Sequence, residues 1–317
     1  MTGPGRGPRA TFDCLWCGRA WTTRSPDDLE GWARLCPDCL GRAGENPFLR
    51  FRLRDALEAR ASARMAGGGS ATAGEAEADA AAAPAAVAGP PAEDRSAEMV
   101  AYYEARAGEY DDWYLRRGRY SRGPIHDAAW NAELDGAGTW LDGLPIGGEI
   151  VELAAGTGWW SPLLASKGEL WLYDAAEAPL EKARDRLLAH RLRAHIHVRD
   201  AWAEPDRQVD AVVCTFWLSH VPRPRTIEFL GLARRWLKPG GLLALMDSLP
   251  DPQSGAADHA PPADDRAVRR LDDGREFTIV KVFRGPDEIE AALLAAGFTS
   301  VEVTTTGRFF VLASGRA

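Results

Sequence analysis

From residue 149 to residue 247 the sequence alternates short apolar runs with helix-like segments: "EIVELA", "SPLLASK", "ELWLYD", "APLEKARDRLLAHRL", "AHIHVRD", "QVDAVVCTFW", "RTIEFLGLARRWLK" and "GLLALMD". Strands that are separated by helices lie parallel, with the helices covering both faces of one sheet, so the pattern predicts a doubly wound α/β fold. Further on come "REFTIVKVF", a helix in "PDEIEAALLAAG", and two apolar runs, "TSVEVTT" and "RFFVLAS". The short turn between these last two, around Gly307, predicts an antiparallel hairpin at the sheet edge.

Residues 67–95 contain no aromatic residue and one large aliphatic, Val87, so they cannot bury enough surface to offset the entropy of ordering. They are expected to be a disordered Ala/Gly/Pro linker between a small module at 11–66 and a larger body at 96–317. The N-terminus lacks an apolar core of signal-peptide length, and the longest apolar runs fall short of a membrane span, which together suggest a cytoplasmic protein. A net charge of -8 gives no global basic field, so a nucleic-acid partner would need a local patch, and a small-molecule partner is favoured.

In an open α/β sheet the ligand lies beyond the carboxyl ends of the strands, which is where "AAGTG" follows the first strand. Gly156 and Gly158 would let backbone come close to a ligand, although a strand-to-helix turn also needs glycine for its dihedral angles alone. A dinucleotide fingerprint would require a third glycine at the position held by Ser161, so NAD is disfavoured. The second strand ends in Asp174, placed either to accept hydrogen bonds from both hydroxyls of a ribose or to cap the next helix. The third leads to Asp200, which could receive an adenine amine, with Trp202 close by to cover the ring.

The combination of "VELAAGTG", "YDAAEAPLEKAR", "RDAW", "DAVVCTFWLSHVP" and "LKPGG" resembles the class I S-adenosylmethionine-dependent methyltransferases, especially their quinone and small-molecule branch, over about residues 97–315. The resemblance implies a seven-stranded, mostly parallel sheet of order 3-2-1-4-5-7-6. It also implies that Glu152 and the loop Ala154 to Gly158 surround the methionine part of the cofactor. Asp174 and Ala175 would hold the ribose, and Asp200, Ala201 and Trp202 the adenine, with Tyr103, Tyr110 and Phe216 completing the cofactor wall. Ala154 stands where the family usually has its first glycine; a methyl group there should shift the loop slightly and leave binding intact.

In "SAEMVAYYEARAGEYDDWYLRRGRY", Ser96 is a plausible N-cap, and Met99, Tyr103, Tyr110 and Tyr114 share one helical face, toward the cofactor cleft or the core. Tyr110 sits in "EYDDWY", which resembles the family's lid segment, where a tyrosine binds the cofactor carboxylate or orients the nucleophile. Methyl transfer from a sulfonium is an in-line displacement in which positioning supplies on the order of 7 to 11 kcal/mol. A general base is needed only for an O, N or C acceptor that must lose a proton. The first candidate is His220, which could equally be a wall residue, and the second is His126. Trp159, Trp160 and Trp217 near the expected cleft suit an aromatic acceptor, and the polar, Pro-rich stretch 248–274 is expected to form part of the acceptor wall.

Near the N-terminus Cys14, Cys17, Cys36 and Cys39 read C-x2-C-x18-C-x2-C, a spacing that sets four thiolates around one tetrahedral Zn2+, with a rubredoxin-like iron as the alternative. A zinc ribbon of this size has little core, so the metal would hold it folded. The following "NPFLRFRLRDALEAR" could contact a protein or RNA; acids in the same module favour the protein. Two alternatives to a small-molecule enzyme follow: an RNA or protein methyltransferase recruited through the ribbon, and a non-catalytic cofactor-sensing module.

Overall fold

The computed structural model describes residues 11–13, 19–22 and 92–317. The chain divides into two units, Met1–Asp94 and Arg95–Ala317. In the first, β1 (Thr11–Asp13) and β2 (Ala20–Thr22) pair antiparallel, with Asp13 opposite Ala20. Cys14 and Cys17 fall in the connection between them. All four cysteines, the Arg-rich segment and the linker up to residue 91 lie outside the described residues.

Helix α1 (Ala92–Arg106) leads into the second unit and is followed by α2 (Tyr110–Leu115) and α3 (Pro124–Gly143). Ser96 therefore lies inside α1 and not at its N-terminal boundary, because the preceding "AEDR" contains good helix formers. The core is a sheet of β3 (Gly148–Leu153), β4 (Gly168–Asp174), β5 (His195–Val198), β6 (Val209–Thr215), β7 (Leu237–Ser248), β10 (Thr299–Thr305) and β11 (Phe310–Arg316). Their spatial order is β10-β11-β7-β6-β3-β4-β5. Numbered within this sheet alone and read from β5, that order is 3-2-1-4-5-7-6. The pairs among β3 to β7 are parallel, whereas β11 runs antiparallel to β7 and to β10.

Strands β3, β4 and β6 are buried along most of their length, which explains why they read as continuous apolar runs without alternation. Helices α4 (Ser161–Ala165), α5 (Glu177–Ala189), α6 (Thr226–Arg235) and α7 (Pro286–Ala295) join the strands. One large cluster, centred on Val151, Val212, Phe229, Trp236 and Leu243, fills one face of the sheet. An additional antiparallel hairpin, β8 (Arg266–Arg270) with β9 (Glu276–Val280), interrupts the sheet after β7. The stretch 248–274 thus contains a strand that its polar, Pro-rich composition did not suggest. Ala267 and Ile279, paired across this hairpin, pack with Met99 and Tyr102 of α1.

Candidate active site

After β3 the chain turns through Ala154, Gly156 and Gly158, which have φ of 52°, 56° and 68°, all in the left-handed region. At Gly156 a Cβ would lie 3.1 Å from the Tyr110 hydroxyl, so a side chain there would need Tyr110 to yield as well as an unfavourable φ. At Gly158 it would lie 2.6 Å from the Ala183 Cβ, so this glycine lets the loop press onto α5. Asp174, at the end of β4, accepts the Gly156 N–H at 2.8 Å on one oxygen and the Ala176 N–H at 2.9 Å on the other. Each oxygen keeps a second acceptor site. Burial pushes the Asp174 carboxyl up to about 6, against the opposing pull of these two N–H groups.

A cavity opens over this loop. Of the residues singled out from the sequence it is lined by Met99, Tyr103, Tyr110, Ala154, Gly156, Asp174, Ala175, Asp200, Ala201, Phe216 and His220, together with Trp217. Glu152, Gly158 and Trp202 do not line it. The Glu152 carboxyl is fully buried behind the loop, accepts the Ser161 hydroxyl at 2.5 Å, and leaves Oε1 without a hydrogen-bond partner. Burial pushes it up to about 8. Trp202 packs edge-on against Phe229, and the Arg225 guanidinium sits 3.8 Å from its ring centroid, so this indole is engaged with α6 and its lead-in. Its backbone N–H donates to Asp200 at 2.9 Å.

Other candidates stand apart. Trp159 stacks on Tyr114 with centroids 4.4 Å apart, and both Trp159 and Trp160 are core residues that line no described cavity. His126 lies against Phe309, also outside the cavities. Both departures have one cause: α2 and α3 pack their aromatic faces onto the sheet and take up the rings that the sequence had suggested for the cleft.

The segment α1–α2 is bonded down over the loop. Glu104 accepts the Ala178 N–H at 3.1 Å, Lys182 donates to the Gly108 carbonyl at 3.1 Å, and Thr157 donates to Asp111 at 2.6 Å. Arg186 pairs with the same Asp111.

A second, larger cavity of about 380 Å³ adjoins the first, and the two share Tyr103, Tyr110, Phe216 and His220 as walls. The Nδ1 of His220 lies 2.6 Å from the Val280 carbonyl, which only accepts, so Nδ1 carries the proton and Nε2 accepts the Tyr103 hydroxyl at 2.7 Å. Burial, reinforced by Lys281, Arg269 and Arg106, holds the imidazole well below its usual range and hence neutral. Arg284 fixes the surrounding turn by donating to the Leu218 and Val221 carbonyls, each at 2.6 Å.

The stretch 248–274 supplies much of the far wall. Arg116 donates to the Ser254 and Gln253 carbonyls at 2.9 and 2.7 Å, and the Trp113 indole donates to the Ser254 carbonyl at 2.9 Å. Three cationic residues that the sequence reading did not single out, Arg106, Arg269 and Lys281, also line this cavity. A signal existed in the alternation of the hairpin. Arg269 shares a strand face with Ala267, and Lys281 follows Ile279 by two, so each charge sits on the side that packs inward.

Against known proteins, residues 150–241 match the model of a methyltransferase domain. A demethylmenaquinone methyltransferase from Clavibacter sepedonicus is 38% identical over 107 residues, or 32% of this chain and 42% of that protein. The chain thus matches well under half the length of that curated relative. A solved structure described as the DhpI–SAM–HEP complex is 30% identical, with a TM-score of 0.57, over 72% of this chain and all (100%) of that one. The CcbJ methyltransferase from Streptomyces caelestis, 19% identical with a TM-score of 0.50 over 68% of this chain and 97% of that one, shares the fold. The chain belongs to the class I S-adenosylmethionine-dependent methyltransferases.

Proposed function

We propose that the body of this chain transfers the methyl group of S-adenosylmethionine to a small-molecule acceptor, with the donor in the smaller cavity and the acceptor in the larger. The observation that carries this reading is the shared wall: Tyr103, Tyr110, Phe216 and His220 face both cavities, so donor and acceptor would meet there. The residues present fit the donor. Asp174 offers a free acceptor site on each oxygen for the ribose hydroxyls, Asp200 and Ala201 suit the adenine, and the left-handed loop at Ala154 and Gly156 leaves room for the amino-acid end. The bound cofactor supplies an electrophilic methyl on a sulfonium.

The chain's own part is to hold, orient and exclude water. Tyr110 covers Gly156, and Tyr103 stands between the cavities with its hydroxyl donated to His220. A proton leaving an acceptor hydroxyl could pass to the Tyr103 oxygen as Tyr103 passes its own to His220 Nε2. The depressed basicity of His220 makes it a weak base, better suited to orienting Tyr103 than to driving deprotonation. A volume of about 380 Å³ suits a small acceptor.

For the N-terminal module the reading is a Zn2+ held by Cys14, Cys17, Cys36 and Cys39, serving structure or a protein partner, with RNA less favoured. It is supported by the C-x2-C spacing and by the antiparallel hairpin whose two strands bracket the first pair. Such thiolates persist in a reducing compartment, which suits the cytoplasm. Among the described residues no helix is long and apolar enough to cross a membrane.

The test is a methyl-transfer screen with labelled S-adenosylmethionine against phenols, amines, quinols, small organic acids and total RNA. Turnover of a small acceptor by residues 96–317 alone is the expected result. Transfer to RNA or protein only, and only with residues 1–66 present, would replace this reading with recruitment through the N-terminal module. Tight cofactor binding with no transfer to any class would favour a sensing module.

A further inference from the structure

The larger cavity is electrically one-sided. Arg106 is 9% exposed and has no ion-pair partner among the described residues. Its Nε is buried without a hydrogen-bond partner, and its one side-chain bond is a long one, 3.4 Å, to the Tyr120 hydroxyl. What surrounds it instead is aromatic: the guanidinium carbon lies 4.6 Å from the Tyr110 centroid, 5.6 Å from Tyr102 and 5.9 Å from Tyr120. Ring faces attract a cation but do not neutralise it.

Arg269, from the inward face of β8, has a single side-chain bond, to the carbonyl of its neighbour Val268 at 3.2 Å, and likewise no acidic partner among the described residues. Lys281 donates to the Ser219 hydroxyl at 2.7 Å, and its nearest carboxylate, Asp247, is 3.9 Å away. That carboxylate is already committed to the Ser219 and Ser248 N–H groups, each at 2.7 Å. Asp251, the acid that lines the cavity, is ion-paired with Arg308 at 2.5 Å. Burial is the main force lowering Lys281, to about 8; Asp247 opposes it, and Arg269 and Arg106 add to it. Three like charges, Arg106 buried and Arg269 and Lys281 half-buried, thus face one cavity with a single carboxylate, Asp247, near only Lys281; this is unfavourable for the empty protein, so a ligand is the natural source of further compensation.

We propose that the larger cavity takes its acceptor by an oxyanion group, a phosphonate, phosphate or carboxylate, held by Arg106, Arg269 and Lys281. The inference rests on the two-cavity methyltransferase reading and names the substrate class for it. Arg106 and Arg269 supply forked N–H donors suited to a tetrahedral or planar oxyanion, and Lys281 adds a point charge. Apolar and aromatic walls at Phe216, Trp113 and Ile279 leave the remainder of the acceptor small and uncharged.

The experiment is calorimetric titration of the full chain with inorganic phosphate, methylphosphonate or acetate, against sodium chloride at matched ionic strength, with and without saturating S-adenosylhomocysteine. At least one oxyanion is expected to bind tenfold or more tightly than chloride, and the strongest of the three separates the phosphorus oxyanions from carboxylates. Arg269→Gln and Lys281→Gln should each weaken it at least tenfold while S-adenosylhomocysteine affinity stays within twofold, and Arg269→Lys should recover part of the loss. Oxyanions binding no better than chloride, or binding that survives both glutamine variants unchanged, would overturn the proposal. If S-adenosylhomocysteine fails to bind while the oxyanion still does, the donor reading falls and the anion site stands.

Discussion

The two cavities differ in both charge and origin. The smaller is walled by acids, Asp174 and Asp200, at or just beyond the ends of β4 and β5; the larger carries Arg106, Arg269 and Lys281, from α1, β8 and the turn after β9. The first is built by the sheet itself, since a parallel sheet exposes its strand ends at one edge and the loops there must face the same crevice. The second is built by elements added around that edge. On the proposed function, what the sheet supplies would set the donor, and what is added to it would set the acceptor.

The sharpest way to break this contrast is to remove an acid from the donor side. Asp174→Ala deletes the acceptor proposed for two ribose hydroxyls and also releases the Gly156 and Ala176 N–H groups that it holds. Charge-assisted bonds are each worth about 1.5 to 3 kcal/mol, so S-adenosylmethionine affinity should fall by roughly a hundredfold to ten-thousandfold in calorimetry, with oxyanion binding in the larger cavity little changed. Unchanged cofactor affinity would mean that Asp174 only caps the loop.

The pH dependence should separate the cavities in opposite directions. With its carboxyl raised to about 6, Asp174 loses its charge as pH falls below that value, and cofactor affinity should drop by up to about tenfold per unit there. Lys281, lowered to about 8, loses its charge as pH rises through that value, so oxyanion binding should weaken on the alkaline side. Stability runs the other way for Asp174. The folded protein holds that proton more tightly than the unfolded chain, so its stabilising contribution is full below about pH 4 and is lost as pH rises through 6. Titrating each ligand from pH 5 to 9 checks both limbs, and Asp174→Asn should flatten only the acidic one.

A smaller effect is expected at the glycine beneath the lid. Gly156→Ala places a methyl 3.1 Å from the Tyr110 hydroxyl at a φ of +56°, which costs about 1 to 2 kcal/mol of backbone strain and pushes Tyr110 aside. Cofactor affinity should fall about tenfold, with a loss of a few degrees in Tm. Equal affinity in the variant would show that Tyr110 does not need to rest on the loop.

These outcomes bear on what a reader of the sequence could have known. That Asp174, Asp200 and Gly156 line the smaller cavity was legible because periodicity locates the strand ends, and the topology then determines what faces the crevice. Trp202 lies outside the smaller cavity because Arg225 and Phe229, more than twenty residues on, take its two sides, which nothing local in "RDAW" announces. Trp159 and Trp160 were assigned to the cleft by proximity in sequence, whereas the stacking of Tyr114 on Trp159 is a long-range contact. The cations of the acceptor side were hidden for a related reason: Arg269 and Lys281 read as ordinary surface charges until the hairpin is known to fold its apolar face onto α1. The cysteine spacing remains legible from sequence alone, as the four thiols lie outside the described residues.

The smallest expected effect concerns Ala154, and it has an unusual sign. Glycine normally weakens a protein relative to alanine, by roughly 0.5 to 1 kcal/mol, because it loses more freedom on folding. Here alanine already sits at a φ of +52°, a conformation that costs an L-residue about 1 to 2 kcal/mol. Relief of that strain outweighs the added entropy of glycine, so Ala154→Gly should raise stability slightly, by up to about 1 kcal/mol, read as a small rise in Tm. Cofactor affinity should change less than threefold, because the methyl lines the cavity without obstructing the acceptor sites of Asp174. A variant that loses stability would mean that the methyl group packs well enough against the cavity wall to offset its backbone strain. The tight loop would then be held in part by side-chain contact at Ala154.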